Sequence, residues 1–554
     1  HCHPEHREQL LPTAHLRRSL APGPEPVLLS SSIPPCINAM NSYRHPQLSR
    51  PVPADSPSTP KARRSRHRMG SMGALLRQGL VTLFATLGLQ QIQAQAPVIV
   101  PPQNNTSSAN PYLVTPCYVT GDPLAAGNNV SGEHVLVVAP YTATGKAHDG
   151  SGTALYRFAN ANQMGAVWGV TSDEPTNKIY SSAVLKRHVA LGPNGLGAIY
   201  VSSLNTGNAT TTPMTTSKFV DLVADLGIDV GQGQVSGMNL ANGATSNVAR
   251  GLPLDKTVDS ADTAIFPWVG KIGLGDLDMD ETHQNLFVVN LWLKKIHKIR
   301  ISDASLVATY DIPTGDGAAG TTMRPWGLET AGGKLYAGVV YTEENPTSGT
   351  GTAATMEGVI YQLDLTTGTW ASSPVLSFPL DYPKGATYFA GSPQWFPWLD
   401  DFTRWSAHGG DLGTPFDTAA HPQPLISDLV MDTTGALHIA MMDRAGHQVG
   451  HRNQSPINAS DLVTGVSGGD ILRTWNNAGT IELESGGVAG TFTSSGTGTG
   501  ATGPGGTSAP QGPGGGEFYW TDYVGSGGRF FHSETSSGGI TMIRDSGEIV
   551  VSIM

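Results

Sequence analysis

Acidic side chains that could bind a metal ion or exchange protons stand close together in one stretch of the sequence. Asp276, Asp278 and Asp280 alternate along a predicted strand, so their side chains share one face of it. A DxDxD loop with a later glutamate would indicate calcium, but this stretch lacks the central glycine and the acidic residue at the twelfth position. The polar face of an ordinary strand is the plain interpretation. The functional alternative is a metal site shared by Asp276 and Asp428, for which Ca²⁺ is the cation that oxygen ligands favour.

Two groups of histidines could also take part in chemistry. His532 and Glu534 are two residues apart, so on a strand they would share a face and could bind a metal or exchange protons. His438, His447 and His451 fall on one predicted strand and the loop after it. Ordinary structural histidines explain both groups as well, and of these residues we keep His532 and Glu534 as predicted binding residues.

Aromatic side chains are concentrated between residues 394 and 406. Trp395, Trp398 and Trp405 stand there together with Phe396 and Phe402. Exposed aromatic rings bind sugar rings or anchor protein partners, whereas buried ones fill the space under a long loop. Both interpretations stay open, and the three tryptophans are predicted binding residues under the first.

These side chains must be positioned by a hairpin that recurs along the chain. Each copy has a small or acidic residue before an apolar one, then a polar turn, then a strand of β-branched and aromatic residues. Asp and Gly suit the turns because Asp bonds to nearby backbone and Gly accepts positive φ. The copies cover residues 168–183, 275–290, 326–340, 427–443 and 538–554, with a weaker sixth candidate at 134–141 and 155–158.

Repeated hairpins bury their apolar faces when they stack around an axis, and this predicts an all-β fold. A β-propeller of six to eight blades with long loop insertions fits best, because the gaps between copies exceed a compact blade of roughly 40–50 residues. An array of β-sandwiches and a β-helix are the alternatives.

The chain divides into segments of different composition. Residues 1–68 have no periodicity and are expected to be disordered or to lie upstream of the natural start. Residues 69–96 have a basic region, then an apolar region, then a small-residue cleavage site. This order is typical of a secretory signal peptide. Residues 97–133 are expected to form an irregular lead-in, and residues 134–554 the propeller, which we expect to continue past the end of the sequence. Residues 485–516 are a loop rich in Gly, Ser and Thr.

Charge and cysteine content exclude some classes of protein. Residues 1–77 hold 11 of the 33 Lys and Arg residues but only 4 of the 44 Asp and Glu residues, so the rest of the chain is strongly acidic. This argues against binding to nucleic acid, which needs clustered basic residues. No apolar stretch after the signal segment reaches the roughly 20 residues of a membrane helix. Only Cys117 follows that segment, so no internal disulfide framework is expected.

The sequence after residue 516 resembles a known class of protein. GEFYWTDYV and the hairpin that ends the chain are similar to the last blades of propeller regions in large secreted or cell-surface bacterial proteins, specifically over residues 517–554. The resemblance implies a propeller and a secreted or cell-surface location, and it implies no activity.

Motifs for catalysis are missing. The sequence has no phosphate-binding P-loop and no HExxH helix. We therefore favour a binding or adhesion scaffold for an extracellular protein or glycan. The alternative is an extracellular propeller hydrolase, a lactonase or glycan-cleaving enzyme with a metal-supported carboxylate site in the channel, because propeller enzymes assemble their sites from scattered loops.

Overall fold

The structure is a computed structural model. It describes residues 111–141, 156–203, 214–315, 322–344, 355–385, 387, 394–408, 417–494, 511–520, 524–526, 529–532, 536–543 and 548–553. The predicted signal segment at 69–96 and the segment at 1–68 lie outside these residues. Nearly all of the regular secondary structure in the described chain is antiparallel β-sheet. In these ranges no helix combines the length and the apolar character that crossing a bilayer requires.

A three-stranded antiparallel sheet comes first. It contains β1 (Tyr112–Pro116), β2 (His134–Pro140) and β3 (Tyr156–Asn160), and the short helix α1 (Ala161–Met164) follows it. The weak sixth repeat copy therefore belongs to a sheet of its own, and the lead-in contributes the strand β1 to it. Cys117, directly after β1, is buried and unbridged.

Two four-stranded meanders follow, separated by an insertion. The first has the strands β4 (Val167–Asp173), β5 (Lys178–Ala183), β6 (Ala198–Ser203) and β7 (Thr215–Asp221) in that order. The insertion carries the helix α2 (Gly243–Ala249) and the 3₁₀ segment Thr263–Trp268. The second meander has β8 (Leu274–Met279), β9 (Asn285–Asn290), β10 (Lys295–Arg300) and β11 (Leu306–Asp311).

The third sheet has a divided outer edge. Its strands are β12 (Met323–Ala331), β13 (Lys334–Tyr341), β14 (Glu357–Asp364), β15 (Thr369–Trp370) and β16 (Leu376–Pro379). The strands β15 and β16 both pair with β14, at its end and at its beginning respectively. A long connection with the 3₁₀ segment Phe402–His408 leads to the next sheet.

The fourth sheet has a small satellite beside it. The elements in chain order are β17 (Asp417–Ala419), β18 (Pro424–Met431), β19 (Leu437–Asp443), α3 (Ala445–Gln448), β20 (Asn453–Gln454), β21 (Leu462–Gly465), β22 (Asp470–Asn477) and β23 (Thr480–Leu483). The main sheet has the order β18-β19-β22-β23, and the satellite has the order β17-β21-β20 with a parallel pair.

Three hairpins complete the described chain. They pair β24 (Val488–Ala489) with β25 (Phe492–Thr493), β26 (Val524–Ser526) with β27 (Arg529–His532), and β28 (Ser536–Ile543) with β29 (Glu548–Ile553). The strand β28 lies against β18 and β19 of the fourth sheet.

The arrangement is a β-propeller of five blades, not six to eight. The first strands β4, β8, β12, β18 and β28 lie side by side in this order. Each of the five repeat copies is the first hairpin of one blade. The blade number was overestimated because the gaps between copies hold the outer strands of the same blade together with the insertions before β8 and β18, and not further blades.

Every inner strand is irregular at the same repeat position. The pairing register shifts in β4, β8, β12, β18 and β28 at the small or acidic residue that begins each copy. Glycine stands at three of these positions, and at two of them the backbone of the next blade is close. A Cβ atom on Gly169 would lie 2.4 Å from the backbone nitrogen of Leu277, and one on Gly327 would lie 2.9 Å from that of Asp428.

The second strands of the first four blades are buried on both faces. In β9 the residues from Leu286 to Val289 are fully buried, because neighbouring blades cover both faces of a blade. This explains why the second strands read as continuous apolar runs in the sequence. The predicted turn role of aspartate is also observed: Asp280 Oδ1 accepts the backbone N–H of Gln284 at 2.8 Å, and Asp432 Oδ1 accepts that of Thr434 at 2.8 Å.

Candidate functional site

The propeller has two faces that differ in their loops. We call the face where the inner strands begin the upper face, and the face with the hairpin turns the lower face. Antiparallel pairing places the end of each second strand beside the beginning of the inner strand. The paired residues are Val167 and Ala183, Leu274 and Asn290, Met323 and Tyr341, and Pro424 and Asp443. Loops that follow the second strands therefore gather on the upper face.

A network of charged side chains lies on the upper face. Lys271 Nζ is 2.8 Å from Glu344 Oε1 and 2.6 Å from Asp400 Oδ2. Arg324 donates two hydrogen bonds to Glu344, each of 2.8 Å, in a bidentate pair. Arg444 Nη2 donates to Asp400 Oδ1 at 2.9 Å. Three cations thus share two carboxylates, and bidentate guanidinium pairs of this kind fix geometry well.

The network carries an excess of positive charge. Burial alone would raise the pKa of Glu344, but the hydrogen bonds and charges of Arg324 and Lys271 hold it at about 2. Burial lowers the pKa of Lys271, and the nearby Arg444 lowers it further. Lys294, in the loop after β9, is close enough to feel the charges of Arg324 and Glu344. The network itself thus has one more cation than carboxylate, whereas the chain as a whole has a net charge of −11.

Aromatic rings support this network from below. The guanidinium groups of Arg444 and Arg324 lie 4.4 and 5.5 Å from the ring centre of Trp398. Trp398 belongs to the same buried cluster as Trp326, against which Trp168 also packs. The two rings of Trp168 and Trp326 meet edge to face with centres 5.9 Å apart. This packing holds the long cationic side chains in place.

A further group of side chains lies at the same end of the inner strands. The imidazole of His447, from α3, meets the rings of Trp168 at 5.3 Å and Tyr118 at 5.5 Å. Lys186, in the loop after β5, has its ammonium 4.9 Å from the ring centre of Tyr118. The upper face thus combines cations with aromatic rings, a composition that suits an anionic or a ring-shaped ligand.

The predicted metal residues Asp276 and Asp428 lie on inner strands and join blades. Asp276 Oδ2 accepts the backbone N–H of Leu328, in the third blade, at 2.9 Å. Asp428 Oδ2 accepts that of Ile540, in the fifth blade, at 2.9 Å. The second oxygen of each carboxylate accepts the N–H of the residue that follows it, at 2.8 Å in both cases. Each carboxylate is thus bonded through one oxygen to the next blade and through the other to its own strand.

Further carboxylates toward the lower face act in the same way. Asp278 Oδ2 accepts the N–H of Thr330 at 2.6 Å, and Glu329 Oε1 accepts that of Met431 at 3.0 Å. Burial raises the pKa of Asp276 and of Asp428 well above the usual range, and the charge of Asp428 adds to the effect at Asp276. Among the residues that the structure describes, no three His, Cys, Asp or Glu side chains are grouped so as to hold a metal ion.

The three predicted tryptophans are core residues. Trp395, Trp398 and Trp405 are exposed by 0%, 2% and 1%. Of the two interpretations that the sequence left open, the structure shows the buried one, because the connection before β18 folds these rings inward. Trp398 contributes indirectly, as the support of Arg324 and Arg444.

The candidate histidines do not form one cluster. His438 is buried and bonds to Tyr519 Oη at 2.7 Å, His447 lies among the aromatic rings of the upper face, and His451 is exposed. His532 is in β27, and the structure describes only its backbone. Glu534 lies outside the described residues.

Sequence reasoning did not find the residues of the upper face. Lys186, Lys271 and Arg324 stand outside any motif, and blades that are distant in sequence supply them. One signal was available: Trp168 and Trp326 both begin repeat copies with a Trp-Gly pair, and such a shared position at the start of an inner strand brings the two rings together.

No family model matches this sequence. Two curated proteins of Dictyostelium discoideum are similar to it: Colossin-D, 26% identical over 390 residues, and Colossin-B, 24% identical over 451 residues. The matches cover 70% and 79% of this chain but only 34% and 10% of the two relatives. The chain therefore corresponds to a part of much longer proteins. These relatives are not bacterial, and the expected kinship with bacterial surface proteins is not shown.

Similar solved structures include the GH43 protein BlXynB from Bacillus licheniformis and a PL25 ulvan lyase. The first is 9% identical, with 70% of this chain and 55% of that chain covered and a TM-score of 0.30. The second is 9% identical, with 72% and 75% covered and a TM-score of 0.29. Similarity this low supports no inference about activity.

Proposed function

We propose that this chain is a ligand-binding module of a larger secreted or cell-surface protein, and that its ligand binds at the upper face. The observation that carries the proposal is the group of Lys271, Arg324 and Arg444, which share the carboxylates of Glu344 and Asp400 beside the ring of Trp398, with Lys294 close enough to feel their charges. The channel carboxylates, in contrast, are engaged in joining blades.

Charge and position both favour ligand binding at the upper face. A local positive patch attracts anionic groups even on a protein that is acidic overall. Such a patch raises the rate at which anionic ligands encounter the protein. Loops on a rigid β-scaffold are the usual place for binding residues. The secretory pattern at 69–96 supports the location, and glycans or proteins outside the cell are the ligands we propose.

An array experiment tests the proposal. The full chain, labelled at its amino terminus, is incubated with acidic and neutral glycans and with acidic and basic peptides. We expect retention by acidic members, lower retention at high salt, and weaker retention by Lys294→Gln. Lys218→Gln is the matched control, because Lys218 lies on the outermost strand of the first blade and pairs with Asp225. Equal retention of both variants and of neutral members would contradict the proposal.

A hydrolase remains the second candidate because two inner-strand carboxylates have raised pKa values, as acid–base catalysts often do. An enzyme of this kind would turn over lactones or aryl glycosides, and Asp276→Asn would abolish the turnover. The binding proposal expects no turnover with either chain.

The calcium site of Asp276 and Asp428 is tested separately. A cation that binds only the folded state raises the unfolding midpoint. A shift with Ca²⁺ that disappears in Asp428→Asn would establish the site, and identical midpoints in Ca²⁺ and in a chelator would exclude it.

A further inference from the structure

Two buried polar atoms at the upper face, one on Trp326 and one on His447, meet no hydrogen-bond partner among the described residues. The indole of Trp326 is 1% exposed, and its Nε1 donor meets no acceptor among the described residues. The imidazole of His447 is 6% exposed, and its Nδ1 is unpartnered in the same sense. Buried polar groups in native proteins almost always have partners, and an indole nitrogen can only donate. A hydrogen-bond partner outside the described residues, such as an ordered water or a ligand atom, is therefore expected beside each of them.

A half-buried lysine adjoins the same group. Lys186 Nζ donates to the carbonyl oxygen of Gly446, next to His447, at 2.7 Å. Within the described ranges no carboxylate pairs with it, although most other cations of the upper face have such a partner. Burial lowers the pKa of Lys186 to about 7, and an anionic neighbour would restore its charge.

The chemistry of His447 is compatible with donation. Burial, followed by the charge of Lys186, lowers the pKa of His447 well below its usual value, so the ring is neutral. A neutral imidazole carries one N–H, and the tautomer with the hydrogen on Nδ1 can donate there.

We propose that Lys186, Trp326 and His447 bind a carboxylate of an acidic carbohydrate ligand. A carboxylate offers acceptors only, so it matches an ammonium group and two N–H donors, and the rings of Trp168 and Tyr118 border the place where its sugar ring would lie. This inference rests on the binding role proposed above and specifies the chemical group that the site recognises.

The test follows the indole N–H of Trp326 directly. The full chain is labelled with ¹⁵N-tryptophan and titrated with sodium glucuronate at constant ionic strength, with glucose as the neutral control. The Trp326→Phe variant identifies the resonance. We expect this resonance to shift saturably with glucuronate and to stay in place with glucose.

Variants establish which side chain supplies the charge. Lys186→Met should weaken glucuronate binding about tenfold or more, the loss expected for one charge-assisted hydrogen bond. Lys218→Met should leave it unchanged. This comparison uses only Lys186→Met and Lys218→Met, which alter partly buried side chains. It therefore stays valid if the Trp326→Phe variant does not fold.

The outcomes separate the two proposals. A linear drift of all indole resonances, or equal shifts with glucose, would mean an adventitious ion only and would overturn the carboxylate site. If the Trp326 resonance does not move while the array still shows binding that Lys294→Gln weakens, the binding role stands and this site is wrong. A saturable shift that Lys186→Met weakens supports both.

Discussion

At the scale of single residues, acidic side chains of the inner strands join neighbouring blades. Asp276 and Asp428 stand at the same repeat position, and each accepts a backbone N–H from the following blade. The third and fifth blades have Gly327 and Gly539 at this position, so an acidic residue in one blade faces a glycine in the next. The carboxylates thus supply hydrogen bonds between neighbouring sheets at these two positions.

Removal of the Asp276 carboxylate tests this role. Asp276→Ala leaves the buried N–H of Leu328 without an acceptor, so we expect the free energy of unfolding to fall by about 1–3 kcal/mol. Urea unfolding of the full chain measures it. The control is Asp311→Ala, which removes an exposed ion pair with Lys295 and should cost almost nothing. Equal stability of the two variants would show that the contact between blades contributes little.

Glu484 provides a prediction about pH. Burial raises the pKa of this carboxyl from 4.5 to about 8. The folded chain therefore keeps a proton between these pH values that the unfolded chain releases. The stabilisation is complete below pH 4.5 and is lost as the pH rises to about 8, with a slope of up to about 1.4 kcal/mol per pH unit.

Urea unfolding at several pH values between 5.5 and 7.5 checks this sign. In Glu484→Gln, whose side chain does not titrate, the decline of stability with pH should be shallower than in the unchanged chain. Asp443 contributes a decline of the same sign, since burial raises its pKa to about 7, so some slope remains. An identical slope in both chains would refute the assignment.

At the scale of elements, the close approach of the inner strands depends on small residues. A Cβ on Gly169 would collide with the backbone of β8, which cannot move aside as a flexible side chain could. Glycine is therefore required at this position by the close backbone of the neighbouring blade, and not by the conformation of its own strand.

Gly169→Ala should lower the thermal midpoint clearly, because overpacking against backbone costs typically about 1–3 kcal/mol. The matched control is Gly233→Ala, at an exposed loop position where an added Cβ meets no atom within 4 Å. That change should be neutral or slightly stabilising, because alanine reduces the entropy of the unfolded chain. Differential scanning calorimetry compares the two midpoints, and equal values would contradict the packing argument.

At the scale of the whole molecule, the fifth blade is joined to the fourth by side chains as well as by packing. Ser427 Oγ donates to the carbonyl oxygen of Gly538 at 2.8 Å, and Asp428 accepts the N–H of Ile540. Phe518 and Tyr519, from the connection between the two blades, pack with Ile540 in one buried cluster.

A chain that ends at residue 510 loses these contacts. We expect a lower thermal midpoint and self-association, because the apolar side of the fourth blade becomes exposed. Calorimetry and light scattering measure both effects. A monomeric product with an unchanged midpoint would show that the first four blades are stable without the fifth.

The sequence by itself determined the local features of this protein. Hairpins, turn aspartates and the apolar second strands could be predicted because alternation and turn chemistry act over a few residues. The tertiary structure alone decided the rest. The blade number, the inward packing of Trp395, Trp398 and Trp405, and the engagement of Asp276 by Leu328 all depend on which distant backbone lies alongside. The upper face likewise brings together Lys186, Trp326 and His447 from three blades. Their spacing along the chain does not predict this proximity, because it arises from the arrangement of the blades around the propeller axis.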